Sequence, residues 1–482
     1  MPPAPAAVAP SASPPPPPAS TLGIGGAKPA AAGPLNPGAS QPGLGARKIN
    51  LSGGGAAAAA PAATLPVQQQ EAAAPAQAKQ PPSEKKPPGV AALTPGQPLA
   101  DLVAQRAVAT AEDAQRQAWA NETTRRLVAA LTSYGCVANV VATRLTPNGA
   151  IIRFAGSDKL RVEDIEGKRT QLLTTHAIEL VTVQPRPGEV AVTVAGIKRE
   201  PISMWELWQR RKLNRNAAGI NTSFLLGVQE ISGALLYLNL GSDFESQSVH
   251  EPHTLIAGTT GSGKSVLIQT LMLDIAATNP PELAQITLVD PKMGVDYLPL
   301  ADLPHMRGEV IIEKSKAAEV LDGLVQEMET RYRIFAGAKA RDLAAYNAKA
   351  APGEALPMLF LVHDEFADWM LDKDYADAVG AAVQRLGVKA RAAGIHLVFC
   401  AQRPDKDVMP MQLRENLGNR LALKVTSAAT SRIVLDQGGA EQLLGRGHLA
   451  ARLAGDGLRI AQCPFMTDVE LACAVDAVRA AR

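Results

Sequence analysis

The chain has 482 residues, room for roughly two or three domains, and its 48 Lys and Arg against 46 Asp and Glu leave it almost neutral. Whole-chain charge therefore neither argues for nucleic acid nor excludes it, and any basic surface must be local. Four scattered cysteines, Cys136, Cys400, Cys463 and Cys473, lack paired metal-ligand spacing and read as small buried hydrophobes in a reducing compartment. No stretch approaches the roughly 20 apolar residues of a membrane span, and Met1 to Pro5 carries none of the charge of a secretory signal. The expectation is a soluble, cytoplasmic chain with no direct membrane insertion.

Residues 1–97 are dominated by Pro, Ala and Gly, with the run Pro14 to Pro18 and the tract Gly53 to Ala60. So few large apolar side chains cannot offset the entropy of ordering, and the segment reads as a disordered arm. Its basic residues, Lys28, Arg47, Lys48, Lys79, Lys85 and Lys86, make it a candidate for touching nucleic acid or a protein partner. A solvated tether is the plainer reading. Over 98–220 the pattern becomes a helix followed by a small α+β domain. Leu127, Val128 and Leu131 recur at helical spacing, and β-type runs at 137–141, 150–154 and 190–194 are punctuated by Pro147-Asn148-Gly149 and Pro187-Gly188.

From 221 to 482 strand-like and helix-like segments alternate, as an α/β domain with a mostly parallel sheet requires. Strands are expected at 254–257, 286–289, 358–362, 396–400, 420–425 and 448–452, and helices at 264–277, 315–336 and 375–393. Between the first strand and the first helix lies Gly258, Thr259, Thr260, Gly261, Ser262, Gly263, Lys264, Ser265 and Val266. Glycines let such a backbone curl so that its N–H groups, with the helix N-terminus behind them, point at a phosphate. Lys264 would reach the β- and γ-phosphates of ATP, and Ser265 would offer its hydroxyl to Mg²⁺.

Three further constellations follow. The apolar run from Met358 ends in His363, Asp364 and Glu365, which a buried strand would deliver at its carboxyl edge. Asp364 would hold Mg²⁺ and Glu365 would activate the attacking water. A second apolar run ends in Gln402, Arg403 and Pro404, where Gln402 would sense the γ-phosphate or hold the lytic water. Arg420 and Arg432 are both candidates for an arginine given to a neighbouring subunit's phosphoryl group, and the sequence leaves the choice open.

Taken in order, these motifs resemble the FtsK/SpoIIIE family of double-stranded DNA translocases. The likeness runs through Ala257–Ser265, Val289 to Lys292, Glu327 to Tyr332, Tyr346 and Asn347, Asp364 to Asp368, Arg391 to Leu397, Gln402 to Pro404, and Leu435 to Gly445. The resemblance implies a RecA-like P-loop motor that assembles as a homo-oligomer, a hexameric ring, and moves duplex DNA for segregation or transfer. It implies a phosphate-backbone grip, with Lys292, Arg403 and Lys406 as candidates. It covers the motor, without the family's membrane domain or its C-terminal winged-helix domain. A related ring ATPase driving protein secretion is the alternative, although only one phosphate loop is visible.

Overall fold

The computed structural model describes residues 102–103 and 113–481, apart from 197–198, 200, 214, 217, 242–248, 388, 407 and 454–456. The arm expected over 1–97 lies outside the described residues, and all of those described fall within one compact unit, Pro81–Arg482.

Four antiparallel strands, β1 (Val140–Thr146), β2 (Gly149–Ala155), β3 (Leu180–Arg186) and β4 (Glu189–Ala195), form a sheet in the order β1-β2-β4-β3. The helix Asp113–Ser133 packs on one face, where Leu127 and Leu131 meet Ile152, Phe154 and Val192 in a core of their own. The first strand starts three residues later than the β-type run at 137 suggested. It is an edge strand, and Val137, Val140 and Val141 remain exposed.

The larger sheet has nine strands. In chain order they are β6 (Ser223–Gln229), β7 (Leu235–Asn239), β8 (Thr254–Ala257), β9 (Ala284–Val289), β10 (Met358–His363), β11 (Ile395–Ala401), β12 (Asn419–Ala422), β13 (His448–Leu453) and β14 (Gly457–Gln462). The spatial order is β7-β6-β14-β13-β12-β8-β11-β10-β9. The five strands β12, β8, β11, β10 and β9 are parallel, and the other four extend them antiparallel. The sheet is thus mixed and not mostly parallel: β13, the strand expected at 448–452, is antiparallel to both of its neighbours. β8, β10 and β11 are buried throughout, since helices cover both faces and leave no polar side to the strands. Leu255 and Ala257 enter the core on one face and Ile256 the core on the other.

The helix Lys264–Thr278 follows β8 directly, and Lys314–Gly337 matches its expected position within a residue. The helix expected over 375–393 is two, Lys373–Leu386 and Lys389–Ala393. Gly387 divides them, turning at φ 26° while its N–H closes the first helix on the Val383 carbonyl at 2.8 Å. The strand expected over 420–425 stops at Ala422, because the backbone beyond it turns to meet the phosphate loop. A short helix, Met204–Arg210, buries Trp205 and Trp208 in the core of the nine-stranded sheet, behind Lys264–Thr278. Just before it, β5 (Ile202–Ser203) pairs with β15 (Pro464–Phe465).

Candidate functional site

The phosphate loop is held by backbone from both sides. The Gly258 N–H donates to Ala401 O at 3.2 Å, and the Thr259 N–H donates to Lys424 O at 2.9 Å. The chain then turns through Gly261 (φ 76°) and Gly263 (φ 102°), where other residues would be strained. A Cβ on Gly263 would lie 2.5 Å from the Gly447 nitrogen, and one on Gly258 would lie 2.6 Å from Ser262 Oγ. Gly263 caps the helix, so the amides of Lys264, Ser265 and Val266 have no carbonyl from a preceding turn. They sit at the positive end of the helix dipole. Ser262 Oγ is buried and has no hydrogen-bond partner among the described residues. An oxyanion would satisfy these donors together, which is the chemistry of a phosphate site.

Across from the loop, β10 delivers two nearly buried carboxylates. Lys264 Nζ pairs with Asp364 Oδ1 and lies 2.7 Å from Glu365 Oε1. The Tyr297 hydroxyl donates to Asp364 Oδ2 at 2.6 Å, and the Glu365 N–H to Asp364 Oδ1 at 2.9 Å. Burial works to lower the pKa of Lys264, but Asp364 foremost, with Glu365, outweighs it and holds the ammonium above its ordinary range. Burial and the Asp364 charge push the Tyr297 phenol up, so it stays a donor. Glu365 has φ 47°, a left-handed conformation that costs a non-glycine residue roughly 1–3 kcal/mol. That turn ends β10 and starts the short helix Phe366–Trp369, keeping both carboxylates at the strand edge.

The expected site residues fall into three groups. Gln402 joins the cluster: its N–H donates to Glu365 Oε2 at 3.2 Å, and its side-chain oxygen accepts from Thr260 Oγ1 at 3.1 Å. Ser265 is engaged elsewhere, donating to Asp296 Oδ2 at 2.8 Å. It makes no direct bond to Asp364, and the Asp364 oxygens face Lys264 and Tyr297. Lys292, one of the three candidates for a DNA contact, has Nζ 3.3 Å from Glu365 Oε1 and is half exposed. Arg403 and Lys406 are exposed on the loop after β11.

The two arginines part company. Arg420, on β12, bonds Asp436 Oδ2 at 2.5 Å and Arg414 O at 3.1 Å, and is almost buried. Arg432 is exposed on the helix Ala428–Leu435 and has no ion pair among the described residues.

Sequence reasoning missed Asp296, Tyr297 and the environment of His363. The first two lie on a 3₁₀ turn, Val295–Leu300, whose only sequence signal is an acidic residue four positions after Lys292. His363 is buried among the rings of Phe366, Trp369, Tyr375 and Phe399. Burial pulls its pKa down to about 4. Nδ1 lies 3.0 Å from the Asp364 carbonyl, which can only accept, so Nδ1 carries the proton and Nε2 accepts from the Tyr375 hydroxyl at 2.5 Å. A neutral histidine thus anchors the backbone from which Asp364 and Glu365 project.

The FtsK/SpoIIIE family profile matches residues 229–406, the stretch holding the phosphate loop, both carboxylates and Gln402. The chain carries an FtsK/SpoIIIE family domain. The DNA translocase FtsK of Corynebacterium glutamicum is 33% identical over 385 residues, covering 75% of this chain and 40% of that protein. The DNA translocase FtsK of Clostridium tetani is 35% identical over 341 residues, covering 69% and 44%. The chain therefore spans less than half the length of these FtsK relatives. Among solved structures, the pCW3 conjugation coupling protein TcpA, in its monomer form with ATPgS, matches with a TM-score of 0.50 at 22% identity, over 76% of this chain and 100% of that one. What the two share is the fold, an α/β domain built on a large mixed sheet. Among the described residues, no helix is long and apolar enough to cross a membrane.

Proposed function

We propose that this chain is an ATP-driven translocase of double-stranded DNA. The observation that carries the reading is the convergence of Lys264, Asp364 and Glu365 at the N-terminus of the helix Lys264–Thr278, beside the glycine loop. In this reading the loop 258–266 holds the phosphates of ATP through Lys264 and the amides at the start of its helix, Lys264 to Val266, while the Gly258 and Thr259 amides brace the loop against Ala401 and Lys424. Lys264 leaves the carboxylates when it turns to that charge, and Glu365 is then free to orient and deprotonate water. Ser265 and Asp364 are the residues that would hold Mg²⁺, which when bound neutralises charge developing on the phosphoryl oxygens. Gln402 touches both the loop residue Thr260 and Glu365, which supports its reading as the residue that senses the γ-phosphate.

Arg432 is the better candidate for an arginine acting on a neighbouring copy, since Arg420 is occupied by Asp436 in its own subunit. Such a role calls for a homo-oligomer, and a hexameric ring is the form proposed here. Arg403 and Lys406 are the exposed cations for a sequence-independent, salt-sensitive grip on DNA phosphates. The proposed organisation is an arm over 1–97, a small domain over 98–220 and the motor over 221–482. The arm is open to a protein partner, and the proposed location is cytoplasmic.

The test is steady-state ATP hydrolysis with and without long linear duplex DNA, with Glu365→Gln as the blank. Stimulation by duplex that is lost at high salt and absent in the mutant is expected. Brisk hydrolysis indifferent to DNA would overturn the DNA substrate and point to a protein substrate. Normal turnover in Glu365→Gln would remove that residue from its role.

A further inference from the structure

The string Leu435 to Gly445 is prominent in the sequence, yet it supplies nothing to the site described above except Asp436, the partner of Arg420. It runs into a turn of three successive left-handed residues, Gly445 (φ 77°), Arg446 (φ 51°) and Gly447 (φ 81°). Two of them are glycines, for which this is easy, and Arg446 is held there against its preference. The turn lies directly on the phosphate loop. The Gly447 N–H donates to Ser262 O at 2.7 Å and the Arg446 N–H to Gly261 O at 3.4 Å. The approach of Gly447 to Gly263 leaves no space for a Cβ on Gly263.

The other side of this turn is tied to the four-stranded domain. The Asn148 side chain, in the β1–β2 turn, donates to Gln462 Oε1 at 2.9 Å and to Glu230 Oε1 at 3.0 Å. Gln462 Nε2 then donates to the Arg446 carbonyl at 2.8 Å. Glu230 Oε1 also lies 3.2 Å from His448 Nε2, and His448 Nδ1 accepts the Leu444 N–H at 3.1 Å. All four side chains are at least nine-tenths buried. Two more small-domain contacts reach the same string: Arg169 to Gln442 Oε1 at 3.1 Å, and Arg199, from the connection between the sheets, to Gly445 O at 3.3 Å. The run of hydrogen bonds from Asn148 through Gln462 to the Arg446 carbonyl passes through buried side chains, so it transmits displacement: moving one member leaves another unsatisfied at a cost of about 1–3 kcal/mol.

We propose that the left-handed turn Gly445–Gly447 couples the small domain to the phosphate loop, with Asn148 and Gln462 as the positioning residues that set the loop's shape. The small domain would thereby bias nucleotide affinity without touching nucleotide, and nucleotide would bias the small domain in return. The proposal rests on the nucleotide reading of 258–266, so its test needs one readout that uses no nucleotide.

The experiment is amide hydrogen exchange on the full chain, nucleotide-free, followed by titration with a fluorescent ATPγS well below the melting transition. The variants are Asn148→Ala and Gln462→Met, with Arg153→Ala as a control inside the small domain, where Arg153 pairs with Glu189. Exchange over 258–266 is expected to accelerate about tenfold in both variants, ahead of the β10 and β11 amides, with ATPγS affinity about fivefold weaker. Arg153→Ala should change neither. Unchanged exchange over 258–266, or acceleration spread evenly over the motor core, would overturn the coupling. Local acceleration in a protein whose wild type binds no ATPγS would instead overturn the nucleotide reading and keep the link. Should Asn148→Ala not fold, Gln462→Met carries the same comparison.

Discussion

Two buried ion clusters sit at opposite ends of the same helix, Lys264–Thr278, and they differ in how completely they are closed. Near its C-terminal end Asp274 faces Arg211 at 2.5 Å, and its carboxylate also accepts from Trp208 Nε1 at 2.8 Å and the Leu225 N–H at 2.9 Å. Arg211 in turn donates to Ser223 O at 2.9 Å. One cation meets one anion, and both carboxylate oxygens are bonded. At the N-terminal end Lys264 meets two carboxylates, Lys292 approaches from a half-exposed position, and the loop beside them keeps the buried Ser262 hydroxyl without a partner among the described residues. The first cluster ties Met204–Arg210 and β6 to the helix. The second is an arrangement that another charged group would complete. A closed pair serves stability, and an open one marks a binding site.

Breaking the closed cluster should have the largest effect. Arg211→Ala strands Asp274 in the core, and about 3–5 kcal/mol of stability should be lost, read as a large fall in melting temperature or as insoluble protein. The opposite is expected in the open cluster. Glu365→Gln removes one of two anions facing one lysine and relieves nothing that the fold needs, so the melting temperature should hold or rise. Hydrolysis should nonetheless fall by about 10²–10⁴-fold. A Glu365→Gln protein that melts far below wild type would erase the distinction between the clusters.

Acid sharpens the comparison, because neither cluster need be the first thing to fail. Burial pulls His253 down to about 3, and His363 and His396 to about 4, from an ordinary value of 6.5. A folded pKa below the unfolded one means that the unfolded chain binds more protons. Stability from these residues is therefore complete above pH 6.5 and is lost as pH falls from there toward 4. Each contributes a slope of about 1.4 kcal/mol per pH unit in that window. Melting temperature measured from pH 7.5 to 4.5 should fall steeply below 6.5, and His363→Gln should flatten the curve. A profile flat to pH 5 would exclude the histidines as the cause.

Smaller effects test the edges. Lys292→Ala takes the exposed cation from Glu365 while Lys264 stays in place, so turnover should change only a few-fold and stability by less than about 1 kcal/mol. Arg452→Ala should do least, since Asp436 keeps Arg420 and the pair with Arg452 is half exposed; the expected loss is also under about 1 kcal/mol.

What could be read without a structure was local. Gly258 to Val266 announces its own geometry, because glycine spacing, a preceding apolar run and a following helix lie within a few residues. Asp364 and Glu365 were legible because a buried strand must release polar residues at its end. β8, β9, β10 and β11 were found within two residues for the same reason: doubly covered parallel strands are continuous apolar runs. Of the antiparallel strands of the larger sheet only β13 was expected; β14 is exposed or half-buried over its first three residues and buried over its last three, and β6 runs straight into the buried carboxylate Glu230. The tertiary structure alone decided the rest. It turned Lys292 toward Glu365, occupied Arg420 with Asp436, brought Tyr297 to Asp364, and laid Gly447 on Ser262. Each of these joins residues far apart in the chain through one or two bonds. A single contact of that kind leaves no periodicity or spacing behind; it exists only once the packing of two cores has brought the two strand edges together.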